Sequence, residues 1–373
     1  MLDAILALED GKVFYGRSFG WRGERTGEVV FNTSMTGYQE VLTDPSYKGQ
    51  MVAMTYPHIG NYGINDEDSE SDGPKVEAFL VREYSRVVSN WRADRDLATF
   101  LQRHEVIGLS EIDTRTLTRH IRSYGAMKAA ISTVNVDEER LVKMAQEAPD
   151  ISDRDLVSEV TCSEPFEWTE GTDREWLLPK AKRQRFHVVA YDCGIKRDIL
   201  RRLVDVGCRV RVVPAATPAS KVRAFQPDGL FLSNGPGDPE MVPYVVRAVR
   251  SLLGELPIFG ICLGHQVLGL ALGGRTYKLK FGHHGGNQPV KDMRTGQVQI
   301  TAQNHNFAVA ADSLGESEVE VTHINLNDQT VEGLRHRRWP LFSVQYHPEA
   351  APGPHDADPL FQQFVDMIEE WKG

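Results

Sequence analysis

The chain has 373 residues, 41% of them apolar, enough for two or three globular domains with substantial cores. Its formal net charge of −10 argues against broad attraction to nucleic acid or to an anionic membrane. No apolar run approaches the roughly 18 residues needed to span a bilayer, and the early acids of the first ten residues do not suit a signal peptide. Cys162, Cys193, Cys208 and Cys262 are widely spaced, with no Cys-x-x-Cys pair. Neither a disulfide framework nor a metal site is expected, and reduced thiols in a cytoplasmic chain fit the pattern better.

Residues 4–8 and 13–16 are apolar runs around Glu9-Asp10-Gly11, the pattern of a hairpin with an Asp-Gly turn. Further strands are expected at 29–33, 51–56 and 76–81. Residues 34–48 mix polar groups with turn formers, and 57–63 form a glycine-rich loop. Residues 96–101 suit a short helix. In 113–122, Leu117 and Ile121 stand four apart, as on one face of an amphipathic helix. This half reads as mixed α and β with no nucleotide or metal signature. Structural loop or core is the plain reading of its motifs.

Residues 163–185 carry Pro165, Trp168, Trp176 and Pro179, then the basic Lys180, Lys182, Arg183 and Arg185, with no useful apolar period. A short charge run is usually a solvated face. We place a linker here, between domains 1–162 and 186–373. From His187 the pattern changes. Strands at 187–191, 209–213, 228–232 and 256–259 alternate with helices at 195–206, at 244–253 and from 267 onward. Such alternation implies an α/β domain, its sheet mostly parallel, with helices on both faces. Sites in these sheets lie at the carboxyl ends of strands. A last strand, 341–346, runs into His347-Pro348-Glu349.

Two loops at strand ends stand out. Gly260-Ile261-Cys262-Leu263-Gly264-His265-Gln266 lies between an apolar strand and a helix. A cysteine flanked by glycines there reads as a nucleophile elbow, with sulfur in the place of the serine of Gly-x-Ser-x-Gly. A thiol at a helix amino end is favoured as thiolate. Inert core is the competing reading of a buried cysteine. A nucleophile also needs a base and an orienting group. Of twelve histidines, His265 is too close in sequence to reach the sulfur easily, and His283, His284 and His305 are assigned to loops. His347 sits at a strand end, and Glu349 is held two residues away by Pro348. The second loop, Ser233-Asn234-Gly235-Pro236-Gly237-Asp238-Pro239, is no Walker loop. Its N–H groups suit an oxyanion hole, and a plain turn is the alternative.

These residues carry a resemblance. Gly260 to Gln266, Ser233 to Pro239 and Ser343-Val344-Gln345-Tyr346-His347-Pro348-Glu349 resemble the class I (triad) glutamine amidotransferases. The first half resembles the small subunit of carbamoyl-phosphate synthetase, in Asn32-Thr33-Ser34-Met35-Thr36-Gly37-Tyr38-Gln39-Glu40, Asp44-Pro45-Ser46-Tyr47, Tyr56-Pro57-His58-Ile59-Gly60-Asn61-Tyr62-Gly63 and Ile112-Asp113-Thr114-Arg115. Phe281-Gly282-His283-His284-Gly285 and Pro352-Gly353-Pro354-His355-Asp356 are similar too, so the likeness covers essentially the whole chain. It implies a class I amidotransferase domain behind a mixed α/β amino-terminal domain. It also implies a glutaminase with Cys262 as nucleophile, His347 as base and Glu349 as its orienter. Leu263 and Gly235 N–H groups would serve the oxyanion. The glutamine-binding positions fall on Ser46, Gly235, Gly237, Leu263, Gln266, Asn304, Asn306 and Phe307. The implied partner is a large subunit that carries ATP and magnesium. This chain would hold no cofactor of its own.

Two departures stand out. The family usually has Asn-His-Gly-Phe where this chain has Asn304-His305-Asn306-Phe307. If that glycine has positive φ, asparagine is the best-tolerated replacement. In Asp192-Cys193-Gly194 the family often has a central aromatic, and Cys193 is assigned to packing. Two other functions are open to such a chain. One is the amidotransferase half of anthranilate, GMP or CTP synthesis, which lacks these first-half segments. The other is a scaffolding subunit with a dead site, which the presence of all three triad residues disfavours.

Overall fold

The computed structural model describes residues 3–172, 185–315 and 318–373. Trp176, Pro179, Lys180, Lys182 and Arg183 of the expected linker lie outside the described residues. The chain divides into two compact units, one of Met1–Leu156 with Lys280–Gly285, the other of Val157–Leu279 with Gly286–Gly373. No helix among the described residues is long and apolar enough to cross a membrane.

The first unit is a closed barrel. Its strands run in the order Ala4–Leu8, Val13–Gly20, Ile107–Ser110, Ala78–Leu80, Gln50–Met54, Glu24–Asn32 and Met127–Ser132, then back to the first. The expected hairpin is present, with Ala7 opposite Val13 and Gly11 at φ 92 in the turn. Strand periodicity separates the two faces of the wall. Leu6, Leu8, Val29 and Met51 pack into one cluster, with Leu117 and Ile121 of the helix Thr114–Tyr124. Ile5 and Ala7 turn the other way, against Leu141 and Ala145 of the helix Glu138–Glu147. The stretch read as polar turns holds a buried helix, Tyr38–Thr43, and a 3-10 turn, Pro45–Tyr47. Its polar side chains are satisfied from inside: Tyr38 donates its hydroxyl to the Gly63 carbonyl at 2.7 Å.

The second unit is a ten-stranded sheet. Five adjacent strands are parallel, in the order Cys208–Pro214, Phe186–Asp192, Gly229–Leu232, Ile258–Ile261 and Leu341–Val344. The sheet continues antiparallel through Val331–His336, Val319–Asn325 and Thr276–Asp292, and Val298–Val309 closes that side. Apolar residues on successive strand positions face opposite helix layers. Val189 and Tyr191 pack with Val245 and Val249 of Pro243–Arg250, and with Val267 and Leu268 of Leu263–Ala271. Val188 and Ala190 pack with Leu200 and Leu203 of Arg197–Asp205, and with Phe361 and Phe364 of Pro359–Lys372. The segment read as a linker begins within this unit. Phe166–Trp168 adds an edge strand, antiparallel to Cys208–Pro214. Three residues suffice because strand pairing, not an apolar period, fixes them.

Candidate active site

The strand order places three loops side by side at the carboxyl end of the parallel sheet. Leu232 pairs with Gly260 and Ile261 with Val344. The loop after Leu232, the elbow after Ile261 and the turn after Val344 therefore leave neighbouring strands.

Cys262 stands at the sharpest point, with φ 53 and ψ −106. A non-glycine residue held there stores strain, which the surroundings must over-determine. They do so through close backbone packing. Cys262 N–H donates to the Val344 carbonyl at 2.9 Å and Gly264 N–H to the Ser233 carbonyl at 3.0 Å. A Cβ on Gly264 would lie 2.2 Å from the Leu232 carbonyl oxygen, and one on Gly235 would lie 2.1 Å from that of Cys193. These glycines are thus required by contact. The first intrahelical bond runs from Gln266 N–H to the Cys262 carbonyl, so the Leu263 N–H is one of the donors a helix leaves open at its start. Gly237 turns the neighbouring loop at φ 82.

His347 and Glu349 are buried with Cys262. His347 N–H donates to the Ala302 carbonyl at 2.9 Å, which ties the turn to the strand Val298–Val309. Its ring Nδ1 lies 2.7 Å from Glu349 Oε1. Burial disfavours the charged imidazole. The Glu349 charge and the interactions with Cys262 and the Glu349 carboxylate outweigh it, raising His347 to about 10. The ring Nε2 is buried and makes no hydrogen bond of good geometry among the described residues. Cys262 acts on the ring by proximity, and its Sγ lies 3.5 Å from the Asn304 carbonyl oxygen.

Glu349 has a second partner that the sequence reading missed. Lys196 Nζ donates to Glu349 Oε1 at 2.9 Å, both side chains being buried. Burial would raise the Glu349 carboxyl, but the Lys196 and His347 charges hold it down to about 2. The loop that brings Lys196 here is stitched to its neighbours. Asp192 Oδ1 accepts from the Gly194 and Ile195 N–H groups, and Asn234 Oδ1 accepts from Lys196 N–H at 3.2 Å. A lysine just before a helix looks like a solvated end, so only the fold reveals it.

Two glutamine-pocket candidates of this unit, Gln266 and Phe307, meet directly. Gln266 Nε2 donates to the Phe307 carbonyl at 2.8 Å and to Gln345 Oε1 at 3.1 Å. The amide is thereby oriented, with Oε1 left as its acceptor. Gln345 is a second residue the sequence reading missed. Asn306 lies within the strand Val298–Val309 and is absent from the positive-φ positions. The condition of positive φ does not hold, and extended backbone accepts any side chain there. Cys193 is buried in the core cluster with Tyr191 and Leu263. His305 and the pair His283 and His284 lie in the strands Val298–Val309 and Thr276–Asp292, not in loops, and all three are buried. Ser46 belongs to the other unit, where it is buried in Pro45–Tyr47 and its N–H donates to Asp44 Oδ1 at 2.9 Å.

A buried thiol on a strained elbow thus lies beside an imidazole held by a paired carboxylate, at the carboxyl end of an α/β sheet. The sequence assigns its class, since residues 189–367 match the family described as glutamine amidotransferase class-I. Residues 6–131 match carbamoyl-phosphate synthase small chain, CPSase domain. Similar chains include the carbamoyl phosphate synthase small chain of Syntrophotalea carbinolica, 60% identical over 99% of this chain and 98% of that one. That of Aquifex aeolicus is 55% identical over 98% and 99%, and that of Archaeoglobus fulgidus 53% identical over 100% of each. The chain belongs to the carbamoyl phosphate synthase small chain family, as a glutamine-hydrolysing subunit.

Proposed function

We propose that Cys262, His347 and Glu349 hydrolyse glutamine and that the ammonia released passes to a large subunit. Cys262 sulfur attacks the side-chain amide carbon as thiolate. His347 takes the thiol proton and gives it to the departing nitrogen, which leaves as ammonia. Glu349, charged beside Lys196, keeps the ring oriented. The Gly235 and Leu263 N–H groups receive the developing oxyanion. Water, activated by His347, then cleaves the γ-glutamyl thioester to glutamate and restores the thiol. Gly237, Gln266, Asn304, Asn306 and Phe307 hold the glutamine. The large subunit carries ATP and magnesium and makes carbamoyl phosphate from bicarbonate and the ammonia, in the cytoplasm, for arginine and pyrimidine synthesis.

The observation that carries this reading is the line of contacts from Lys196 through Glu349 and His347 toward Cys262, at adjacent strand ends. Its test is Cys262→Ser in the complex with the large subunit, assayed for carbamoyl phosphate. Glutamine-dependent synthesis is expected to fall at least about a thousandfold, with ammonia-dependent synthesis retained. Loss of both activities in an assembled complex would overturn it.

A further inference from the structure

The barrel unit holds a pocket that the glutamine chemistry does not use. Its volume is about 870 Å³, within the range of small-molecule sites. Four arginines line it: Arg82, Arg115, Arg119 and Arg122. Three of them come from Thr114–Tyr124, at i, i+4 and i+7, which is one stripe of a helix. Leu117 and Ile121 on the opposite side of that helix are buried, so packing fixes which way the arginines turn.

The arginines have no ion-pair partner among the described residues. Other arginines of this unit do: Arg17 lies 3.3 Å from Glu111, Arg92 2.7 Å from Asp68 and Arg95 2.6 Å from Asp66. The single carboxylate lining the pocket, Asp113, is already engaged. It caps the helix, accepting from Thr116 N–H at 3.0 Å and from the Thr116 hydroxyl at 2.7 Å. Thr118, also in the lining, has a buried hydroxyl oxygen with no partner among the described residues. Four guanidinium groups around one occupied carboxylate leave a concave, net positive site on a chain whose net charge is −10. Solvation alone would favour pairing or separating these charges. Four guanidinium groups against one carboxylate mark a place for an anion.

We propose that this pocket binds a small polyanion, phosphoryl or polycarboxylate, held by guanidinium forks from the helix Thr114–Tyr124 and by Arg82. The planar fork of arginine matches both oxyanions in a bidentate manner. A concave site of this volume suits a small molecule better than a protein surface, which would need a broad contact.

The test uses the full chain, alone and in complex with the large subunit, titrated calorimetrically at low salt with inorganic pyrophosphate. Saturable binding is expected. The double variant Arg115→Gln with Arg119→Gln should weaken it about a hundredfold, about tenfold for each arginine. Thr118→Val should weaken it a few-fold, and glutamine hydrolysis should be unchanged in both variants. Competition by citrate at comparable concentration would assign a polycarboxylate, and its failure a phosphoryl ligand. Absence of pyrophosphate binding at millimolar concentration overturns the proposal, as does equal affinity in the double variant. Loss of binding on complex formation, with the double variant failing to co-elute with the large subunit, also overturns it and makes the pocket a protein contact.

Discussion

Two buried histidines in the same unit have opposite fates. His265, on the helix after the elbow, bonds Ser343 Oγ through Nδ1 at 2.9 Å. Burial, helped by His323, pushes it down to about 3. His347 is buried to a similar degree, yet its carboxylate neighbour raises it to about 10. Burial sets the stakes, and the partner decides the sign. A hydroxyl offers an imidazole a neutral partner and no counter-charge. A carboxylate held ionised by Lys196 does.

The largest test of this contrast is a pair of substitutions. His347→Asn should lower glutamine turnover by about a thousandfold or more with the fold intact, whereas His265→Asn should leave it within about threefold and lower Tm instead. Turnover by each variant, with melting curves, checks both. Near-normal turnover in His347→Asn would show that another histidine is the base.

Lys196→Met probes the support of the contrast. Glu349 then loses its first stabilising charge, so its pKa rises from about 2 toward the usual carboxylate range. Turnover at neutral pH should fall about tenfold, and the acid limb of the kcat/KM profile should move to higher pH. An unmoved limb would mean that His347 alone keeps Glu349 ionised.

Stability should carry the same signature. The depressed His265 stabilises fully above its unfolded value of 6.5, and that contribution is lost as pH falls toward about 3. The raised His347 stabilises fully below 6.5, and its contribution is lost as pH rises toward about 10. Tm followed against pH should therefore show a shallower acid slope in His265→Asn and a shallower alkaline slope in His347→Asn. The smallest expected effect is at Asn306→Gly, where KM for glutamine should stay within about twofold and stability should drop by about 0.5–1 kcal/mol, because glycine weakens a strand.

The elbow was legible because its glycines and cysteine state a backbone problem in five consecutive residues. His347 and Glu349 were legible as a strand end with a stiff spacing, though only the sheet order could bring them to Cys262. Lys196 and Gln345 were not, since each gains its role from a residue distant in sequence. The buried helix Tyr38–Thr43 was hidden by its polar composition, which internal hydrogen bonds satisfy. The antiparallel strands holding His283, His284 and His305 were read as loops, because polar and glycine residues interrupt their period.

The parallel strands also have a temporal meaning. Lys196, Gly235, Cys262 and His347 meet only when strands drawn from residues 186 to 344 have docked in the right order. Loop closure over such separations is slow, and partial sheets hold isolated pieces of the constellation without its chemistry. On the proposed mechanism, glutamine turnover is thus a late milestone of assembly. If Cys262 and His347 act as proposed, an immature chain would not yet turn over glutamine, since the thiol meets the imidazole only when the strand Leu341–Val344 has joined the sheet.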